Sequence, residues 1–193
     1  MIRVDVRVVS FGGVGCTYIM KKLQENNIIT NSITDKDGFK HLPHKSMLNK
    51  QIEADKTIYV YNDPIKAVLS HYRRKWHLAQ HRKITNPENY LNSDILKYFD
   101  VFQDKSIDIG KEIYGVEQHF YDWYENEKHN KEFLFIDFRN DCDERVSHFI
   151  GCNIVFKLKN RSPILEVLKD DFVAIYSKTD TTIKEYIDSM AKN

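Results

Sequence analysis

The N-terminal stretch most strongly constrains the fold, because a strand pattern, a glycine-rich turn and a helix pattern follow one another there. β-Branched residues recur through residues 2–9, as in a buried strand. Apolar residues then recur at helical spacing over about 16–26, with lysines on the polar face. Gly12, Gly13 and Gly15 in the turn permit positive φ angles and close approach of a ligand. We therefore predict a cradle of backbone N–H groups at the positive end of a helix, which suits a phosphate group.

The turn departs from the nucleoside-triphosphatase pattern GxxxxGK[ST]. Only Gly15 and Thr17 match that pattern, and Cys16 stands where its lysine would be. This favours phosphate binding without ATP hydrolysis, and the alternative is a strand-to-helix turn that binds no ligand. Because Cys16 lies at the predicted start of a helix, we expect its thiol to have a lowered pKa. No histidine is adjacent in sequence, so a packing or phosphate-loop role is favoured over nucleophilic catalysis.

Length and charge limit the class of protein. A chain of 193 residues suits one α/β domain, so we predict a single domain over residues 1–193. Lys and Arg number 29 against 28 Asp and Glu, which gives no overall field to attract nucleic acid or an anionic membrane. The three cysteines lack paired spacing, the N-terminus has a strand pattern and no long apolar run occurs. These features predict a cytoplasmic protein without a signal peptide or membrane span.

The rest of the chain alternates between strand-like and helix-like segments. Strands are predicted at 56–61 and 132–138, a short strand at 154–156, and helices at 47–54, 65–79, 111–127, 142–150 and 164–190. Residues 77–110 are polar and interrupted by Asn-Pro, which is typical of an insertion or lid. The alternation predicts a three-layer α/β fold with a central parallel sheet. In such a sheet, ligands bind outside the carboxyl ends of the strands, where the strand order reverses.

Four motifs, in the same order along the chain, resemble those of the sulfotransferase family. Residues 12–18 resemble the family's 5′-phosphosulfate loop, residues 39–43 its Lys-Thr-His-Leu-Pro segment, residues 59–72 its strand followed by Arg-Asn-Pro and a serine-bearing helix, and residues 114–138 its later helix and strand. The matches span roughly residues 4 to 151. The resemblance implies a fold like that of the P-loop nucleoside triphosphate hydrolases, in its sulfotransferase-like form, and a compact, divergent member of the family.

The resemblance also implies a reaction and its residues. The donor would be 3′-phosphoadenosine 5′-phosphosulfate as co-substrate, and the acceptor a hydroxyl or amine of a small molecule or glycan, with no metal ion required. His41 would remove the acceptor's proton, Tyr18 would face adenine and Ser70 would bond the 3′-phosphate. The implied donor-binding residues are Gly13, Val14, Gly15, Cys16, Thr17, Tyr18, Asn62, Ser70, Lys159 and Arg161.

Two charged positions of the family are replaced here. The family's loop lysine falls on Gly13 and its strand-end arginine on Asn62. We expect Lys40 to act beside His41 and to replace the loop lysine, or a nearby basic residue to do so. The candidates for supplying the missing charge from another backbone position are Lys40, Arg73, Arg74, Lys157, Lys159 and Arg161. Two other functions stay open. A kinase-like phosphoryl transferase is disfavoured by the missing loop lysine, and a non-catalytic descendant of the fold would bind a nucleotide, an anion or a protein partner.

Two further clusters are assigned to solvent-facing surfaces. His77 and His81 have the i, i+4 spacing of zinc ligands, but they lack the glutamate of HExxH and an evident third ligand. Arg73, Arg74 and Lys75 form the basic edge of a predicted helix, and such an edge is more often solvated than bound to RNA. The first cluster is therefore not expected to bind zinc, and the second is not expected to bind RNA.

Overall fold

The computed structural model describes residues 2–36, 38–47, 52–76, 80, 114–140, 142–156, 168 and 170–190. Its strands β1 (Ile2–Val9), β2 (Ile52–Tyr61) and β3 (Phe133–Asp137) are all parallel and lie in the order β1-β2-β3. The helices are α1 (Cys16–Glu25), α2 (His44–Met47), α3 (Pro64–Arg73), α4 (Val116–Glu127), α5 (Cys142–Ile150) and α6 (Asp170–Met190). The predicted α/β class and parallel sheet are confirmed.

The central strand β2 is covered on both faces. Residues 57–61 are all buried. Side chains of a strand alternate between its faces, so Ile58 and Val60 point away from Tyr59 and Tyr61. Both tyrosines pack against Phe120 of α4, at centroid distances of 5.7 and 6.3 Å. A strand buried on both sides is typical of a parallel sheet between layers of helices.

Strand β1 has a neighbouring segment on each of its two edges. On the edge opposite β2, Val6 forms a parallel bridge with Thr30. The side chain of Asn31 extends this pairing, because its Oδ1 accepts from the Val8 N–H at 2.8 Å and its Nδ2 donates to the Val8 carbonyl at 3.1 Å. The Thr30 segment, β1, β2 and β3 therefore lie in that spatial order. The connections reverse direction at β1, which places the expected ligand crevice at the carboxyl ends of β1 and β2.

An ion-pair network fills the space beyond the end of β3. Arg139 donates to Asp137 at 2.6 Å and to Asp180 of α6 at 2.8 Å. The Tyr61 hydroxyl also donates to Asp180, at 2.9 Å. These contacts join α6 to the carboxyl edge of β2 and β3.

The predicted helix over residues 47–54 is wrong. Helix α2 ends at Met47, and β2 begins at Ile52. Ile52 pairs with Ile2, and the following Glu53 pairs with Arg3. The start of β2 alternates between half-buried and exposed positions, so its charged residues lie on a solvated face.

Helix α3 begins as predicted and ends earlier than predicted. Asp63 caps it by accepting from two backbone N–H groups, and Pro64 occupies its first turn. The helix ends at Arg73 instead of near Ala79 because Lys75 adopts a φ of 58°. The Lys75 N–H then donates to Tyr72 O and the Trp76 N–H to His71 O, which closes the helix.

The short strand predicted at 154–156 is also wrong, because the N–H and carbonyl of Ile154 both bond to the Ser147 hydroxyl of α5. The predicted insertion at 77–110 lies outside the described residues except for Gln80, and so do His77 and His81. In the part of the chain that the structure describes, no helix combines the length and apolarity needed to cross a membrane.

Candidate functional site

A cleft of about 640 Å³ lies at the carboxyl end of β1. Three segments line it: the glycine turn with the start of α1, the connection that follows the Thr30 segment, and the end of α3. The lining residues are Gly13, 15–18, Lys21, 33–35, Lys40, His41, His71, Arg74, Trp76 and Gln80. This volume lies within the range of small-molecule sites. The cleft occupies the crevice that the strand order predicts.

The glycine turn packs directly on α3. Gly12 and Gly13 have φ angles of 111° and 71°, a region that other residues rarely adopt. A Cβ at Gly12 would lie 2.6 Å from His71 Nε2, and one at Gly13 would lie 2.8 Å from the Ala67 carbonyl. Both the backbone conformation and the contact with α3 therefore require glycine, which brings the end of β1 close to the helix that follows β2.

The N-terminus of α1 faces this cleft without an acidic side chain of its own. Its N-cap, Gly15, offers no side-chain hydrogen bond, and the first turn contains no acidic residue. Thr17 in that first turn is exposed. The partial positive charge of the helix end therefore has no carboxylate partner in the first turn, an arrangement that favours an anion.

The Lys40 ammonium lies at this helix end. Its side chain is buried, with 4% of the residue exposed. Nζ donates to Thr17 Oγ1 at 2.6 Å and to the Ile33 carbonyl at 2.8 Å. Neither acceptor carries a charge. An ammonium has three N–H groups, so one remains beyond these two contacts among the described residues. A buried cation on neutral acceptors is costly, and an anion in the cleft would offset that cost.

The cleft carries an excess of positive charge. Lys21, Lys40 and Arg74 line it, against Asp35 as the one acidic side chain among its described residues. Asp35 accepts the backbone N–H of Lys40 at 3.0 Å, so its carboxylate fixes the loop. This balance favours a ligand with negative charge.

His41 is oriented by the backbone at the end of β1. Its Nδ1 lies 3.1 Å from the Ser10 carbonyl, which only accepts hydrogen bonds. The Ser10 Oγ lies 3.3 Å from the same nitrogen and can accept as well. These contacts favour a neutral His41 with its proton on Nδ1 and its basic lone pair on Nε2. The Ser10 N–H donates in turn to the Lys40 carbonyl at 3.0 Å. The surroundings of the imidazole thus favour the tautomer required of a base at Nε2.

Helix α4 holds the backbone that carries Lys40 and His41. Trp123 Nε1 donates to the Leu42 carbonyl at 3.0 Å, and the Lys45 N–H donates to Asp122 at 3.1 Å. A half-buried pair, with His44 Nε2 2.9 Å from Glu127 Oε1, adds a side-chain contact. We call residues 40–45 the base loop. Its position depends largely on bonds to its main chain.

A second histidine lies buried beside the base loop. His119 of α4 is fully buried, and its Nδ1 lies 2.9 Å from the Tyr59 hydroxyl. Burial, with the nearby His41 as a smaller cause, lowers the pKa of His119 to about 3. The imidazole is therefore neutral at physiological pH and adds no charge beneath the cleft.

Most of the predicted site residues meet in this cleft, namely Gly13, Gly15, Cys16, Thr17, Tyr18, Lys40 and His41. Val14 is buried instead, and its carbonyl accepts from Asn62 Nδ2 at 3.2 Å. Asn62 thus joins the end of β2 to the turn. Ser70 is half-buried on α3 and is not among the residues that line the cleft; other residues of that helix line it. Lys159 and Arg161 lie outside the described residues.

The surroundings of two of these residues bear on what was expected of them. The lowered pKa expected for Cys16 is wrong, because the thiol is buried and burial raises its pKa more than Lys40 lowers it. The Tyr18 ring is half-buried and packs against Phe138 and Phe156 at centroid distances of 6.2 and 6.1 Å. Tyr18 is therefore partly engaged by the core, although it reaches the cleft.

The sequence offered Arg74 as one possible replacement cation, but it did not predict that the end of α3 forms a wall of the cleft. His71 and Arg74 line the cleft one turn apart, followed by Trp76 and Gln80. Trp76 is 58% exposed, and the Arg74 guanidinium lies 5.5 Å from its ring centroid. The available signal was a tryptophan placed among basic residues at the end of a helix, a position where an apolar ring would otherwise be buried.

Fold and cleft together define a mixed α/β protein with an anion-favouring site at a strand-order reversal. Comparison of the chain with protein-family models, with curated proteins and with solved structures finds no match in any of the three. The described residues include no group of three or more His, Cys, Asp and Glu side chains placed to hold a metal ion.

Proposed function

We propose that this protein is a sulfotransferase that moves a sulfo group from 3′-phosphoadenosine 5′-phosphosulfate to a hydroxyl or amine acceptor. The observation that carries the proposal is the contact between Lys40 Nζ and Thr17 Oγ1, at 2.6 Å, with His41 in the same cleft. The family's loop lysine is missing at Gly13, and Lys40 supplies a cation to the same helix end from another segment. The proposal includes the sulfotransferase-like form of the P-loop fold.

The donor's 5′-phosphate would bind at the start of α1. Backbone N–H groups of the turn, the exposed Thr17 hydroxyl and the third N–H of Lys40 would contact its oxygens. Lys21, on the exposed side of α1, adds charge at the rim of the same wall. These groups would also stabilise the charge that develops on the leaving phosphate oxygen.

The chemical step needs one base and one leaving group. The acceptor oxygen or nitrogen forms a bond to sulfur while the bond between sulfur and the 5′-phosphate oxygen breaks. The acceptor's proton passes to Nε2 of His41, and adenosine 3′,5′-bisphosphate leaves with the electron pair of the broken bond. The Nδ1 contact to the Ser10 carbonyl supports this role, because it fixes the base on Nε2.

Donor binding is tested by adding adenosine 3′,5′-bisphosphate and measuring the melting temperature. A shift with this ligand, and a weaker one with ATP and magnesium, supports the donor site. A shift with ATP and magnesium alone would favour a kinase-like phosphoryl transferase. No shift with any nucleotide would remove the proposal.

Catalysis is tested by transfer of labelled sulfo groups to a panel of hydroxyl and amine acceptors. Loss of a general base typically costs about 10²–10⁴-fold in rate, so His41→Ala should keep bisphosphate binding and lose nearly all turnover. His129→Ala, which changes an exposed histidine on the turn after α4, is the matched control and should keep full activity. Full turnover by His41→Ala would exclude this mechanism. Bisphosphate binding without transfer to any acceptor would favour the non-catalytic function.

A further inference from the structure

The two long walls of the cleft differ in chemistry. The α1 wall presents the glycine turn, Thr17 and the Lys40 ammonium, all suited to a phosphate group. The second wall, at the end of α3, presents two rings and a guanidinium: His71, Trp76 and Arg74. We call this second set the α3 wall. Nothing in the proposed donor site uses it.

The backbone turn after α3 directs the exposed ring towards the cleft. Lys75 has a φ of 58°, and the Trp76 N–H donates to the His71 carbonyl at 2.9 Å. The chain therefore folds back over the helix end immediately before Trp76. The ring is 58% exposed and lines the cleft, whereas the other tryptophan, Trp123, is fully buried. A large apolar ring kept accessible inside a cleft is typical of a surface on which a ligand stacks.

Arg74 adds charge to this ring. Its guanidinium lies 5.5 Å from the Trp76 centroid, which is within the range of a cation–π contact. A guanidinium on an aromatic face keeps its N–H groups in the plane of the fork, where they bind a carboxylate with two hydrogen bonds. The pair therefore suits a ligand that combines a flat ring with an anionic group.

The α3 wall is joined to the proposed base. Gln80 connects the two. Its backbone N–H donates to the Trp76 carbonyl at 2.9 Å, and its side-chain Nε2 lies 3.5 Å from the His41 carbonyl. A Cβ at Gly12 would lie 2.6 Å from His71 Nε2 and 3.4 Å from His41 Cε1, so both imidazoles border the same glycine. A ligand on Trp76 would therefore share the cleft with the His41 imidazole.

We propose that Trp76 and Arg74 form the acceptor subsite, and that the acceptor is a hydroxylated aromatic compound carrying a carboxylate or similar anionic group. This inference rests on the proposed function. In-line transfer requires the acceptor and the leaving phosphate on opposite sides of sulfur, and the phosphate is assigned to the α1 wall. The acceptor ring stacks on Trp76, its anion pairs with Arg74, and its hydroxyl reaches Nε2 of His41.

Two probes that differ in one group test the subsite: 6-hydroxy-2-naphthoate and 2-naphthol. Their binding is measured by calorimetry, with and without saturating adenosine 3′,5′-bisphosphate. The wild-type protein should bind the naphthoate at least about tenfold more tightly than the naphthol, because a hydrogen bond to a charged group is worth that much. Equal affinity for the two probes, or binding of neither, would overturn the inference.

Three variants assign the effect to residues. Arg74→Gln should abolish the preference for the naphthoate, whereas Arg73→Gln, an equal charge change on the adjacent exposed residue, should preserve it. Trp76→Ala should weaken both probes by at least about fivefold, as expected for loss of a stacking surface. Weaker binding of the bisphosphate in Arg74→Gln, with naphthoate binding unchanged, would assign Arg74 to the donor and overturn the acceptor subsite.

The bisphosphate titration separates this inference from the proposed function. If the wild-type protein binds the naphthoate through Trp76 and Arg74 but does not bind the bisphosphate, the ring-and-anion subsite stands and the sulfotransferase proposal fails. If the bisphosphate binds and the variants leave both probes unaffected, the donor site stands and the acceptor subsite fails.

Discussion

Replacing Lys40 with methionine tests whether its buried ammonium binds the donor. Methionine keeps much of the length and apolar stem of lysine but removes the charge and all three N–H groups. Two of those groups contact Thr17 and Ile33, and the third is the one assigned to the donor's phosphate. A hydrogen bond to a charged group contributes about 1.5–3 kcal/mol, and about 1.4 kcal/mol corresponds to a factor of ten. Lys40→Met should therefore weaken bisphosphate binding by about ten- to a hundredfold.

The stability of the variant provides a separate measurement. Loss of Nζ leaves the Ile33 carbonyl without its donor, which costs about 1–3 kcal/mol if that carbonyl stays buried. Removal of a buried charge on neutral acceptors offsets part of this cost. The free energy of unfolding of Lys40→Met should therefore fall by no more than about 3 kcal/mol, and binding is compared at a temperature where both proteins are folded.

The matched control removes the same charge from an exposed position of the same connection. Lys36 is exposed and does not line the cleft, so Lys36→Met should leave bisphosphate binding within about twofold of wild type. Binding is measured by calorimetry and by the dependence of the melting temperature on bisphosphate concentration. A Lys40→Met protein that binds the bisphosphate as tightly as wild type would refute the role given to this lysine.

Three further predictions concern stability and reactivity. The pKa of buried His119 is lowered to about 3, so the unfolded chain binds one more proton than the folded chain between about pH 6.5 and 3. The free energy of unfolding should therefore fall by about 1 kcal/mol per pH unit on acidification through that window. Urea unfolding of His119→Gln should show a flatter dependence of this free energy on pH. Lys75→Gly should raise the free energy of unfolding by about 0.5–1 kcal/mol, because glycine tolerates the left-handed φ of 58°; an unchanged or lower urea midpoint would contradict this. Thiol labelling of the folded protein should modify the exposed Cys152 quickly. Cys16 and Cys142 should react only in urea, because these two thiols are buried and burial raises their pKa. Rapid labelling of a second cysteine in the folded protein would disprove this prediction.

The β1–turn–α1 unit was predictable from sequence because its signals are local. β-Branched alternation marks residues 2–9, and the glycines of the turn are required by their own φ angles. The start of β2 was not predictable in the same way. Glu53 and Asp55 lie on its exposed face, and the pairing of Ile52 with Ile2 is a contact between distant parts of the chain. Charged residues at a solvated strand end resemble the polar face of a helix until the partner strand is known.

The site was predictable as a set of motifs but not as a surface. The sequence located Lys40 and His41 through their resemblance to a family segment, whereas the direction of the Lys40 side chain towards Thr17 depends on the tertiary fold. The end of α3 at Arg73 has no glycine to mark it, so the tryptophan among basic residues did not by itself show that the helix stops before Trp76 and that the ring lines the cleft. The pKa of Cys16 depends on desolvation, which position in a helix does not reveal.

The attachment of the base loop to α4 has a consequence for how the chemistry of this chain can evolve. Trp123 and Asp122 hold the loop through the Leu42 carbonyl and the Lys45 N–H, which every amino acid at those positions offers, proline at the second excepted. Residues 40 and 41 can therefore be substituted while these main-chain bonds keep the base loop in position. A duplicated copy of this gene could exchange the base for another functional group without first rebuilding the scaffold. Descendants of this protein could thus keep the shape of the cleft while its reactivity changes.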